Sequence, residues 1–172
     1  MVKCGDISLY LPPRYKMTNF LGEYECKVDA KGRITLPSSL KRQVNNASQD
    51  RYVIHRGFEK CLVLYPFNEW EATSAEINKL NLYNKKNREF ARQFHRGATE
   101  LELDGTNRLL MPKRLLEYAG IGKDLILFAY SNRIEVWAKD VYENWLNEEP
   151  QDLSALAEEV MGKKKGSEDE IS

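Results

Sequence analysis

The stretch Glu25-Cys26-Lys27-Val28-Asp29-Ala30-Lys31-Gly32-Arg33-Ile34-Thr35-Leu36-Pro37 returns later as Glu100-Leu101-Glu102-Leu103-Asp104-Gly105-Thr106-Asn107-Arg108-Leu109-Leu110-Met111-Pro112. In both copies an alternating strand runs into Asp, three turn-prone residues and Arg, then apolar residues ending in Leu or Met before Pro. Equivalent positions stand 75 residues apart throughout: Asp29 and Asp104, Arg33 and Arg108, Pro37 and Pro112. Internal duplication of this kind makes a small chain a two-fold object with two equivalent functional edges.

Working outward, each copy continues in the same way. A short helix follows each Pro, over Ser38–Val44 and over Lys113–Ala119, the second closed by Gly120. Pro at the first helical position costs no hydrogen bond, and Gly just past the end accepts a left-handed backbone. Two β-type runs come next, Arg51–His55 with Cys61–Tyr65, and Asp124–Ala129 with Arg133–Trp137. Branched and aromatic residues bounded by Gly, Asn and Ser read as hairpins. A further helix starts near Asn68 in one copy and Asp140 in the other. The fold class is therefore α+β and β-rich, two repeats of strand, turn, strand, helix, hairpin.

The chain has 172 residues, 42% hydrophobic and 30% charged, ordinary for a soluble protein. Each repeat is too small to bury much core by itself, so fusion or assembly must supply the rest. Trp70, Tyr142, Trp145 and the aromatic strand edges point the same way, to a homo-oligomer. No apolar run approaches the roughly 20 residues of a membrane span, and the N-terminus lacks the apolar core of a secretion signal. Cys4, Cys26 and Cys61 are odd in number and widely spaced, which suggests reduced thiols in the cytoplasm. With only His55 and His95 as imidazoles, no metal-ligand spacing emerges, and no cofactor is expected.

Charge is balanced overall but not along the chain. Residues 148–172 carry 8 acidic and 3 basic groups, leaving a mildly basic body and an acidic tail. Residues 1–16 read as an N-terminal extension, dispensable, with Met17 a candidate natural start. Repeat one with its following helix spans 17–78, a basic connecting helix 79–97, and repeat two 98–147. That connecting helix holds Lys85, Lys86, Arg88, Arg92 and Arg96 against Glu89, with Phe90 and Phe94 on one edge. The tail has a short helix over Leu153–Met161, then a low-complexity run expected to be disordered.

Asp29 and Asp104 are suited to brace their turns by bonding backbone two residues on, Gly32 supplies a positive φ, and Gly105 helps structure the second turn. Arg33 and Arg108 then project from rigid turns. An exposed ion pair to the Asp would contribute little, whereas a fork of donors suits phosphate or the acceptor edge of guanine.

The chain closely resembles the MraZ family of bacterial transcriptional regulators, within the AbrB/SpoVT-like swapped-hairpin group, over about residues 17–147. The resemblance rests on Phe20-Leu21-Gly22-Glu23-Tyr24, the two Asp-x-x-x-Arg turns, Leu36-Pro37, Arg56-Gly57, Tyr65-Pro66, Glu69-Trp70, Arg96-Gly97-Ala98, Pro112 and Asn132-Arg133-Ile134-Glu135-Val136-Trp137. It implies a pseudo-two-fold swapped-hairpin β-barrel that assembles into homo-oligomeric rings. It also implies binding to tandem GTG-containing boxes in double-stranded promoter DNA of the division and cell-wall cluster, the protein's own operon included. Such a regulator is cytoplasmic and nucleoid-associated, takes no small-molecule ligand and is no enzyme. The reading arginine falls on Arg33, with Arg108 as its repeat partner, Lys31 as the basic neighbour, and Thr106 and Asn107 as the DNA-binding positions of the second turn. The second turn departs from the pattern: Thr106 stands where Lys31 does, and Asn107 where Gly32 does. Asn tolerates a left-handed backbone, so that turn survives, but repeat one is expected to be the principal base reader. Against this stand an enzyme using Asp29, Asp104, Glu23 and Glu100 as acid–base pairs with His55 as base, and a bare oligomerisation module.

Overall fold

The computed structural model describes residues 18–44, 48–148 and 152–162. The expectations for residues 1–16, for Met17 as a start and for the run after Gly162 lie outside them. In chain order the elements are β1 (Phe20–Lys27), β2 (Arg33–Thr35), α1 (Ser38–Gln43), β3 (Arg51–Arg56), β4 (Leu62–Pro66), α2 (Phe67–Asn78) and α3 (Lys85–His95). There follow β5 (Thr99–Glu102), β6 (Arg108–Leu110), α4 (Lys113–Ala119), β7 (Asp124–Ser131), β8 (Arg133–Ala138), α5 (Lys139–Glu148) and α6 (Leu153–Gly162). Both prolines sit one place earlier than the sequence suggests: Pro37 and Pro112 are the N-cap residues of α1 and α4. Gly120 closes α4 in the left-handed region at φ 68°.

The chain divides into two compact units, one up to Lys139 and one from Asp140. In the first unit six strands form an antiparallel sheet in the order β1-β7-β8-β4-β3-β5, and β2 pairs with β6 as a separate ribbon. The order is its own mirror under exchange of repeats. β1 of repeat one lies on the β7–β8 hairpin of repeat two, and β5 of repeat two lies on β3 of repeat one. That exchange is the swapped hairpin. The registers locate the axis: Ile34 faces its own equivalent Leu109 in the ribbon, and Val63 faces Glu135 where the two halves of the large sheet meet. The expected barrel is not closed, because β1 and β5 remain the two edges of the large sheet. One edge is blunted locally, where the Gln43 amide accepts from Leu21 N at 2.9 Å and donates to Leu21 O at 3.2 Å. A side chain that imitates a backbone partner occupies donors and acceptors that another strand could use.

Strand alternation sends Leu62, Leu64, Leu125, Leu127, Ile134 and Val136 to one face, all completely buried, with Ile34 and Leu109 of the ribbon. Leu40 of α1 and Leu115 of α4, equivalent residues, close this core. Each such side chain stabilises the fold by about 1.5–3 kcal/mol relative to exposure. On the opposite face of the large sheet, α2 and α3 pack on the β3–β4 hairpin. There His55 lies 5.6 Å from the Tyr65 ring, 5.3 Å from Trp70 and 4.8 Å from Phe94. In the second unit, Tyr142 of α5 is buried and stacks on Trp145 at 5.9 Å, while every residue of α6 is exposed.

Candidate nucleic-acid interface

The two Asp-x-x-x-Arg turns have the same bonding to within about 0.1 Å. In the first, Asp29 Oδ1 accepts from the backbone N–H of Lys31 and of Arg33, each at 2.9 Å, and Oδ2 accepts from Arg33 Nε at 2.8 Å. In the second, Asp104 Oδ1 accepts from Thr106 N and Arg108 N at 2.9 Å, and Oδ2 from Arg108 Nε at 2.9 Å. Backbone bonds from Asp29 N to Arg33 O and from Asp104 N to Arg108 O, both 2.9 Å, complete the loops. Gly32 at φ 82° and Asn107 at φ 61° occupy the left-handed position, as their residue types allow.

These bonds all favour the carboxylate. Backbone donation from Arg108, then from Thr106, holds Asp104 down at about 2, and donation from Arg33 lowers Asp29 in the same direction. The sequence set the ion pair and the projecting arginine against each other as rival readings. The geometry joins them. The carboxylate fixes Nε, so the outer nitrogens of each guanidinium form a fork, and neither guanidinium has another hydrogen-bond partner among the described residues.

Register then brings the two turns together. Arg33 lies opposite Leu110, and Thr35 opposite Arg108. Ile34 and Leu109 point into the core, so Arg33, Thr35, Arg108 and Leu110 share the outward face of the ribbon. The two arginines sit diagonally across one antiparallel ladder, their Cα atoms about 8 Å apart from strand rise and spacing. What the sequence read as two separate edges is one continuous surface. The turns flank it at opposite ends, tied across by Met111 N to Gly32 O at 2.9 Å and Leu36 N to Asn107 O at 2.8 Å.

The substituted residues of the second turn are engaged within the chain. Thr106 Oγ1 donates to Asp104 Oδ1 at 3.0 Å, and Asn107 Oδ1 accepts from Lys41 Nζ of α1 at 2.7 Å. Sequence reasoning missed Lys41, because nothing local to either turn points to it. Lys31 and Gly105 are exposed, as expected of turn positions. Among the described residues no cluster of His, Cys, Asp and Glu could hold a metal ion, and no helix is long and apolar enough to cross a membrane.

A pseudo-two-fold swapped-hairpin chain that presents two carboxylate-braced arginines on one β-ribbon defines the class. The MraZ family model, described as "MraZ protein, putative antitoxin-like", matches twice, over residues 19–93 and 94–164. The chain belongs to the MraZ family. It is 48% identical over 147 residues to the transcriptional regulator MraZ of Christiangramia forsetii, covering 85% of this chain and 95% of that one. Against the protein of the same name from Flavobacterium psychrophilum it is 46% identical over 147 residues, covering 85% and 94%. Against that of Clostridium acetobutylicum it is 38% identical over 141 residues, covering 82% and 96%.

Proposed function

We propose that this chain is a sequence-specific, non-enzymatic DNA-binding regulator of transcription; its relatives are named transcriptional regulators. One observation carries the reading: Arg33 and Arg108 stand on one outward face of a two-stranded ribbon, each braced by its own aspartate. A major groove admits a two-stranded ribbon, and an arginine fork matches the O6 and N7 acceptors of guanine. Arg33 is the principal base reader and Arg108 its partner. Lys31 supplies phosphate contact, Thr106 and Asn107 line the second turn, and Asp29, Gly32, Asp104 and Gly105 shape the turns. The target is double-stranded promoter DNA with tandem GTG-containing boxes ahead of the division and cell-wall cluster, including the chain's own operon. The protein acts there as a ring-shaped homo-oligomer in the cytoplasm, at the nucleoid, without a small-molecule effector.

The enzyme reading finds no support in these groups. Asp29 and Asp104 are held ionised by backbone donors and arginine, and Glu100 is engaged by Arg51 at 2.6 Å. His55 is buried among Tyr65, Trp70 and Phe94, and burial pushes its pKa down to about 4. A base so enclosed cannot reach a substrate. Mobility shift of the DNA upstream of this chain's own gene, against a scrambled duplex, tests the proposal. Selective binding with affinity falling steeply in salt is expected, and equal or absent binding of both duplexes overturns it.

A further inference from the structure

The second turn lacks the cation that Lys31 gives the first, and the tertiary structure brings another one to it. The β2·β6 ladder carries α1, which follows β2, alongside the turn of the opposite repeat, and Lys41 Nζ bonds Asn107 Oδ1 at 2.7 Å. Asn107 is a neutral acceptor, so the ammonium keeps its full charge, and among the described residues no carboxylate is paired with Lys41. Two of its three N–H donors remain for another ligand. The arrangement exists on one side only. Gly32 has no side chain to hold anything, and the equivalent of Lys41 in α4 is Leu116, which is buried.

We infer that Lys41 and Asn107 form a phosphate-contacting subsite across the repeats, in which helix α1 of repeat one supplies the second cation of repeat two's turn. Each end of the ribbon then carries one arginine and one lysine, Arg33 with Lys31 and Arg108 with Lys41. The first pair is local in sequence; the second is assembled by the swap. Asn107 thus has two duties: it takes the left-handed backbone at φ 61°, and its side chain fixes where the ammonium stands. The ligand is a phosphodiester of the DNA backbone. Such a contact carries no base information, so it sets affinity and register rather than sequence choice.

The inference rests on the DNA-binding reading above, and the test separates the two. Full-length protein is titrated with a 30-base-pair duplex bearing tandem GTG boxes and with a scrambled duplex, at several salt concentrations. Lys41→Met should weaken both duplexes alike, by up to about eightfold per engaged subunit near 0.1 M salt, and lower the magnitude of the salt slope by about one per engaged subunit. Lys41→Arg should restore both quantities, and Asn107→Gly should keep the slope while losing part of the affinity. Thermal melting of each variant accompanies the titrations. If Lys41→Met leaves affinity and slope at wild-type values while Arg33→Ala abolishes discrimination, the subsite is wrong and the DNA reading stands. If wild-type protein binds neither duplex, the DNA reading falls and takes the subsite with it. If Lys41→Met and Lys41→Arg both lower the melting temperature and both weaken binding, the lysine is only a structural tether and the inference is overturned.

Discussion

Asp29 and Arg33 act as one unit, and so do Asp104 and Arg108: the carboxylate receives two backbone N–H groups on one oxygen and Nε on the other. Arg33→Ala should therefore remove specific DNA binding without unfolding anything, because the backbone half of the turn survives. A bidentate arginine–guanine contact contributes about 1–3 kcal/mol, multiplied in effect wherever several subunits engage one DNA. Circular dichroism unchanged beside a lost mobility shift is the expected pair of results. Arg33→Glu should cost more sequence discrimination than Arg108→Glu, since Gly32 leaves its turn backbone free to approach the groove; equal losses in the same assay would refute that ranking. Acid tests the brace itself. The Asp104 carboxyl titrates near 2 in the folded chain, below the ordinary 3.8, so its stabilisation is complete above about pH 4 and disappears as pH falls towards 2. A carboxyl resonance of Asp104 that titrates near 3.8 would show that the bonds do not form.

At the scale of elements, the duplication is not copied uniformly. The offset between equivalents is 75 residues through the turns (Arg33 and Arg108) and 73 in the next strand (His55 and Phe128). It is 72 in the strand after that (Val63 and Glu135). His55 therefore stands where repeat two has Phe128. Enclosed by Tyr65, Trp70 and Phe94, with Arg133 and His95 adding unfavourable charge, it is neutral in the folded state down to about pH 4. Above pH 6.5 its ionisation does not affect stability. Below that value the unfolded chain takes up a proton which the folded chain refuses, so stability falls by roughly 3 kcal/mol at pH 4. His55→Phe, copying the other repeat, should flatten the pH dependence between 6.5 and 4 and raise the melting temperature at pH 5. Urea melts at pH 7 and pH 4.5 measure the first and a thermal melt at pH 5 the second, and a pH dependence equal to the wild type's would contradict the assignment.

For the whole molecule, apolar side chains exposed among the described residues offer a surface to other copies. Leu153, Leu156, Val160 and Met161 form one exposed stripe on α6, and Leu21 and Phe58 are about four-fifths exposed. The protein is accordingly expected as a homo-oligomer, and light scattering at micromolar concentration should report a mass well above 20.0 kDa. A stable species at that single-chain mass would exclude it.

The amino-acid order by itself determined the elements and the turns. The two hairpins, the short helices after Pro37 and Pro112 and both Asp-braced turns are local, governed by alternation, fixed φ and self-bonding side chains. Their places were legible to within one or two residues, the largest slip being the end of β7, which runs two residues past Ala129 to Ser131. The left-handed Asn107 was legible too, since that tolerance belongs to the residue. Pairing was not. Which strand of repeat one lies on which strand of repeat two depends on burying Ile34, Leu109 and the alternate faces of six strands together, and many pairings satisfy the same alternation locally. Only the tertiary structure decided that the barrel stays open, that both arginines share one ribbon face, and that Lys41 reaches Asn107 across 66 residues. Those are long-range contacts, selected by the packing of the whole core rather than by any stretch of chain.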